Sequence, residues 1–244
     1  MSLQPSADPI QSRILHAYTA LHQLRPDWGG ALILSLGLDA HGAALAMAAH
    51  IAGAVSLSID NDPAHIREVV RTGAADFVVT TLDEAIRTMK NEVRRHAPLS
   101  VALNSAPLPA LEEITERGLA PQLFTSFLLS DPRISEVALR LQSHGATLIH
   151  FGEEEDSADQ PQESFRSSRS LLAPLLEQQS WQLHTFTFDT PVALRHFDAQ
   201  ALVSLPAEET LRRRWLESAP RLFLRQRPPQ RTLWLTKEEI QALQ

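Results

Sequence analysis

"ALILSLGLDAHGAALAMAAHIAGAVSLSID", residues 31–60, contains two apolar runs separated by a glycine-bearing turn and an alanine-rich stretch. The first run, "ALILSL" (31–36), has the length and aliphatic character of a strand buried on both faces. "GLDAHG" (37–42) reads as the turn, "AALAMAAHIAGA" as a helix, and "VSLSI" (55–59) as a second strand that ends at Asp60. A strand, a glycine turn, a helix and a strand, with an acid about twenty residues beyond the turn, is the arrangement of a mononucleotide-binding unit. The small side chains of Ala43, Ala44, Ala46, Ala48, Ala49 and Ala52 would let the helix lie close against a sheet.

Outward from this unit the alternation continues. Further strands are expected at "DFVVT" (76–80), "LSVALN" (99–104), "LFTSF" (123–127) and "TLIHF" (147–151), with helical segments between them such as "LDEAIRTMKNEVRRH". Short apolar strands alternating with helices predict a parallel sheet with helices on both faces. Asp62-Pro63 and Asp131-Pro132 each place a capping carboxylate before a proline at the first helical position. Thr81 and Glu84 form a capping-box pattern, as do Thr236 and Glu239. Gly73, Gly118 and Gly145 stand where helices should close. The fold class is therefore α/β, a doubly wound, mostly parallel, Rossmann-like sheet, with C-terminal strands and helices extending it. Residues 1–152 form the doubly wound part and 153–163, "EEEDSADQPQE", an acidic loop. Residues 164–244 form an α/β extension of the same domain, a small separate domain being the alternative. In that extension a helix is expected near 164–178, strands at "WQLHTFTF" (181–188) and "ALVSL" (201–205), and an extended wrap at "RLFLRQRPPQR" (221–231).

The turn carries the chemistry. Gly37 and Gly42 occupy the outer positions of a G-x-G-x-x-G frame, and Asp39 stands at the middle one. Glycine there lets a pyrophosphate approach the backbone at the positive end of a helix. A carboxylate about 5 Å from a phosphate oxygen costs about 3 kcal/mol at an effective dielectric near 20, unless its side chain points away. Asp60 is placed to accept ribose hydroxyls. His41, at the helix start, either meets an anion or serves as a local cap, and His150 ends the sixth strand, on the rim where ligands dock.

Composition excludes several classes. The chain of 244 residues has a formal charge of -7, so nucleic-acid phosphate is not generally attracted to it. Cysteine is absent, which removes disulfides, thiolate metal sites and cysteine nucleophiles. The ten histidines are scattered without metal-ligand spacing, so no metal is expected. There is no apolar run near 18 residues and "MSLQPSADPI" lacks the regions of a signal peptide, so a cytoplasmic protein with no membrane association is expected.

From about residue 28 to 152 the sequence resembles the central dinucleotide-binding domain of urocanase (urocanate hydratase). The resemblance is carried by "LSLGLDAHGAALAMAAHIAGAVSLSID", "AHIREVVRTGAADFVVTTLDEAI", "LSVALNSAPLPALEEITERGLAPQLFT" and "SDP", in the family's order and spacing. It implies NAD as cofactor, a link to histidine catabolism, and a site made by Gly37, Leu38, Asp39, Ala40, His41, Gly42, Asp60, His65, Asn104 and Ser105. The family's turn resembles G-L-G-G-M-G-G, where this chain has G-L-D-A-H-G-A; its ribose acid is Glu, here Asp60, and an arginine position is His65. A polar loop after the fifth strand is replaced by Phe127-Leu128-Leu129. The family's catalytic cysteine comes from a surrounding core domain; this chain contains neither that residue nor the length for that core. The expectation is a stand-alone domain that binds a nucleotide or small ligand without urocanate hydratase activity and without catalytic residues of its own. Two alternatives stand beside it: a pseudoenzyme that has lost its cofactor and binds a protein partner or a second copy of itself, and an enzyme of altered chemistry in the same crevice.

Overall fold

The computed structural model of the protein describes residues 9–128, 131–152 and 164–243. Helix α1 (Pro9–Leu24) leads into β1 (Leu32–Leu36), α2 (Ala40–Ala52) and β2 (Val55–Asp60). Then come α3 (Pro63–Thr72), β3 (Phe77–Val79), α4 (Leu82–Arg95) and β4 (Leu99–Asn104). After these the chain forms α5 (Pro107–Glu116), β5 (Leu123–Ser126), α6 (Pro132–Ser143) and β6 (Thr147–His150). The C-terminal elements are β7 (Arg166–Ser167), α7 (Ser168–Gln179), β8 (Gln182–Thr187), α8 (Pro191–Ser204), α9 (Thr210–Leu222), β9 (Gln230–Leu235) and α10 (Lys237–Ala242). The acidic segment 153–163 lies outside the described residues.

Seven strands form one sheet in the order β3-β4-β2-β1-β5-β6-β7, and every pairing in it is parallel. The fold is thus Rossmann-like, as the alternation of strands and helices predicts. The chain leaves β1 towards β2 on one side and returns to β5 on the other, so the topological switch point lies between the carboxyl ends of β1 and β5. Neighbouring residues of a strand face opposite sides. Ile33 and Leu123 accordingly enter the core beneath α1, α2 and α9, while Leu34, Leu36 and Phe124 enter the core beneath α4, α5 and α6.

Capping chemistry sets the helix boundaries. Asp62 and Asp131 accept the amides of Ala64 and Arg133, and the Thr81–Glu84 and Thr236–Glu239 boxes both close. Helix α2 is buried on nearly every side because α1 lies along its outer flank. Its run of alanines makes that double packing sterically feasible.

Three features depart from the sequence pattern. The third strand, "FVV", sits at the edge and β4 lies between it and β2. Phe77 and Val78 are exposed there, whereas five of the six β4 residues are buried. Residues 201–205, expected as a strand, belong to helix α8, apart from its C-cap Leu205. Thr190 caps that helix on the amide of Ala193, Pro191 occupies its first turn, and Phe197 and Ala201 bury one stripe four residues apart. Finally, among the described C-terminal strands only β7 extends the main sheet; β8 and β9 form a separate antiparallel pair. The expected wrap over 221–231 gives way to the end of α9 at Leu222 and the start of β9 at Gln230. That pair packs on α1, where the Trp234 indole N–H donates to Thr19 Oγ1 at 2.9 Å.

Candidate functional site

The carboxyl end of β1 delivers residues 37–42 directly to the N-terminus of α2. Gly37 adopts φ +93°, and its N–H donates to the Ile59 carbonyl at 2.8 Å, which pins the turn to the end of β2. A Cβ built on Gly37 would lie 3.2 Å from Phe127 Cβ, and one on Gly42 would lie 2.2 Å from the Gly37 carbonyl oxygen. Both glycines are therefore required by close approach, one to the β5 loop and the other to the turn itself.

Asp39 is the N-cap of α2. Its Oδ1 accepts the amides of His41 at 3.0 Å and Gly42 at 2.9 Å. Partial burial works to raise this carboxyl, but the His41 imidazole and the amides of Gly42 and His41 outweigh it and hold it below the ordinary carboxylate value. The His41 ring also lies over Phe127, with centroids 6.1 Å apart and planes 24° from parallel.

Asp60, at the end of β2, is only 6% exposed. Its Oδ2 accepts the Leu38 amide at 2.6 Å and contacts His65 Nδ1 at 2.8 Å, and its Oδ1 accepts the Asp62 amide at 2.8 Å. The hydrogen bond to Asp60 raises the pKa of His65 above its ordinary value, against the smaller opposing effect of burial. Since Nδ1 faces a carboxylate, it carries the proton. Asn104 pairs in register with Asp60 across β2 and β4 and is exposed, while the Ser105 amide donates to the Asp60 carbonyl at 3.2 Å. The turn, Asp60 and His65 thus form one bonded group, and Asn104 and Ser105 adjoin it through the backbone.

Two cavities flank the start of α2. One, of about 170 Å³ between α1, α2 and α3, is lined by Leu38, Asp39, Ala43, His65 and Glu68. The other, also about 170 Å³, lies between α1, α2 and α7 and is lined by Arg13, His16, His41 and Arg169. Arg13 borders both. Arg13 and Arg169 carry no local motif; they line the same cavity as His41 because α1 packs against both α2 and α7. His150 ends β6 with its ring against Gly152, where a Cβ would lie 2.6 Å from Nε2. Among the described residues no group of three or more His, Asp or Glu is arranged to hold a metal ion, and no helix is long and apolar enough to cross a membrane.

A parallel sheet whose switch point holds a glycine turn, a helix N-terminus and an acid defines a Rossmann-like domain. Residues 14–128 match the family model of the urocanase Rossmann-like domain, so the likeness to urocanase is shown for that part of the chain, from within α1 to just beyond β5. A solved structure of a cyclopropane-fatty-acyl-phospholipid synthase-like protein from Lactobacillus casei ATCC 334 aligns over 91% of this chain and 90% of that one. The identity is 15% and the TM-score 0.30, too slight a likeness to bear on the ligand.

The relationship to an NAD-binding domain calls for a test of fit. The amides of His41 and Gly42, which a pyrophosphate would take, already bond Asp39, and Phe127 stands against Gly37. Both oxygens of the buried Asp60 are engaged by this chain's own groups. The residues present do not fit a dinucleotide laid in the usual register.

Proposed function

We propose that the protein is a small-ligand-binding Rossmann-like domain without urocanate hydratase activity. The carrying observation is the carboxyl edge of the sheet, where an ordered glycine turn, a helix N-terminus capped by Asp39 and two cavities adjoin within a domain related to urocanase. In this reading the ligand is a nucleotide without a pyrophosphate at the turn, or another small molecule, and the site residues Gly37–Gly42, Asp60 and His65 shape its pocket. Asn104 and Ser105 border the adenosine side of the same crevice. The 244 residues contain no counterpart of the family's catalytic cysteine, which supports binding without hydration. Thermal-shift titration with AMP, ADP-ribose and NAD tests the reading. The expected result is a saturable stabilisation by a ligand lacking pyrophosphate, with no turnover of urocanate. Flat responses to every ligand, or hydration of urocanate, would overturn it.

One observation favours a second reading. Asp39 satisfies the helix end internally, as befits a pseudoenzyme that has lost its cofactor and acts through a protein partner or a second copy of itself. Co-purification of a stoichiometric partner together with flat ligand titrations would select it.

A further inference from the structure

Strand β3 is an edge of the seven-stranded sheet, and among the described residues it has a strand neighbour on one side only, β4. Its residues, Phe77, Val78 and Val79, include no charge and no proline, the usual devices that keep an edge from pairing. Phe77 is 53% exposed, and Val78 is exposed as well. The register sets their directions. Phe77 and Val79 pair with Val101 and Leu103, which enter the core beneath α4, while Val78 pairs with Ala102 on the side of α2 and α3. The edge is therefore apolar towards both faces of the sheet. The two helices beside it extend the pattern. On α3, Val69 is buried, and His65, Glu68 and Thr72 line the cavity against α2. Val70, 59% exposed, lies on the opposite flank of that helix, away from α2. On α4, Asp83 is held by Arg117 at the end of α5, whereas Glu84 and Thr88 line an open groove beside Val78 and Val79. Glu84 stands in the first turn of α4 and Arg95 in the last, about three helical turns on, so both lie on one flank. Arg95 is exposed, 3.6 Å from Glu92 of the same helix. The flank of α4 beside β3 thus runs from acid to base.

We propose that this edge joins a second copy of the chain, with β3 pairing antiparallel to its counterpart across a two-fold axis at Val78. Such an axis stands normal to the sheet, so each face of one copy continues into the same face of the other. On one face α3 meets α3, and the two Val70 side chains gain apolar cover. On the other face α4 meets α4 in antiparallel fashion. Glu84 of each copy then comes to Arg95 of the partner subunit, so the acid-to-base flank is complementary to itself. An unrelated strand would satisfy the backbone of β3 but would leave Glu84, Arg95 and Val70 without counterparts, which is why the surface selects a second copy. A ladder of such short strands shares few backbone bonds, so the dimer is expected to be weak, with a Kd of about 10–100 µM. The inference stands apart from the ligand reading, since it concerns a different edge of the sheet.

The test is sedimentation equilibrium of the full chain, joined to cross-linking. A monomer–dimer equilibrium is expected, weakened by salt because exposed ion pairs contribute to it. Val78→Lys and Arg95→Glu are each expected to weaken the dimer by about tenfold or more. Both positions are exposed, so the melting temperature of the monomer should stay near that of the wild type. The chain contains no cysteine, so a single introduced one reports on its own site alone. Val78→Cys is expected to give a disulfide-linked dimer under mild oxidation, because residues opposed across an antiparallel pair stand within disulfide reach. Val203→Cys, exposed on α8, is the control and should cross-link far less. A monomer at every concentration up to about 1 mM overturns the proposal. So does a dimer that both Val78→Lys and Arg95→Glu leave intact, or equal cross-linking through Val203→Cys. Open-ended larger species in place of a dimer overturn the two-fold arrangement.

Discussion

Asp60 accepts the backbone N–H of Leu38 at 2.6 Å, so the acid that ends β2 holds the turn that follows β1. The same carboxylate receives the Asp62 amide and His65, which makes it the anchor for two loops at the carboxyl edge. Asp60→Ala would leave the amides of Leu38 and Asp62 without that partner at a site 6% exposed. The expected loss is about 2–4 kcal/mol in urea denaturation, with Asp60→Asn losing less because one acceptor oxygen remains. A loss under about 0.5 kcal/mol would show that water replaces the carboxylate freely.

Asp39 and the α2 amides make a separate prediction. Asp39→Gly should cost only a few tenths of a kcal/mol as a cap, whereas Asp39→Ala should cost about 1 kcal/mol. Removing the charge also frees the amides of His41 and Gly42. ADP-ribose is therefore expected to bind at least about tenfold tighter to Asp39→Gly than to the wild type, consistent with lifting a repulsion of about 3 kcal/mol. Equal affinities, measured by calorimetry, would mean that Asp39 is not what keeps pyrophosphate out.

Gly42 tests the closeness of the turn and the helix. An alanine Cβ would lie 2.2 Å from the Gly37 carbonyl oxygen and 2.9 Å from its carbon, both of them backbone atoms. Because both atoms are backbone, relieving the clash must shift the turn or the helix, so Gly42→Ala should lose about 2 kcal/mol or more. Equilibrium unfolding of the variant reads this directly, and a neutral result would mean the turn moves without strain.

The sequence showed the carboxyl edge well because its signals are local. "ALILSL", the glycine turn and Asp60 lie within thirty residues, and Asp62-Pro63, Thr81–Glu84 and Thr236–Glu239 each announce a helix start with a cap that the structure contains. What escaped was non-local. Nothing in "DFVVT" tells an edge strand from an interior one, since that is decided by where β4 inserts. "ALVSL" has strand-like composition, but Thr190-Pro191 ten residues earlier had already begun a helix. The cavity shared by Arg13, His41 and Arg169 was invisible because those residues come together only through the packing of α1 against α2 and α7.

In the C-terminal part, Arg231 on β9 and Asp198 on α8 form a two-bond ion pair, Nε to Oδ1 at 2.7 Å and Nη2 to Oδ2 at 2.8 Å. The two side chains are 1% and 7% exposed, and the guanidinium lies 5.9 Å from the centre of the Phe223 ring. Asp198→Ala strands a buried cation and should cost about 3–5 kcal/mol, while Asp198→Leu combined with Arg231→Met should cost clearly less. A double-mutant cycle by chemical denaturation measures both. Near-additive losses would mean that the pair is not coupled as the geometry requires.

His65 supplies the pH dependence. Its imidazole bonds Asp60 Oδ2, and Asp62 Oδ2 lies 4.0 Å from its Nε2, so the protonated ring is favoured in the folded protein and its pKa is raised above 6.5. Arg13 and Glu68 line the cavity on its other side. A histidine with a raised folded pKa contributes its full stabilisation below the unfolded value and loses it as pH rises through the folded one. His65→Gln lacks that contribution at every pH. The melting-temperature gap between wild type and His65→Gln should therefore be largest near pH 5.5 to 6 and shrink above pH 7. The ring is 38% exposed, which limits the gap to about 1–3 °C. A gap that stays constant from acid to alkaline pH would mean that the Asp60–His65 contact holds the loop as a neutral hydrogen bond and not as an ion pair.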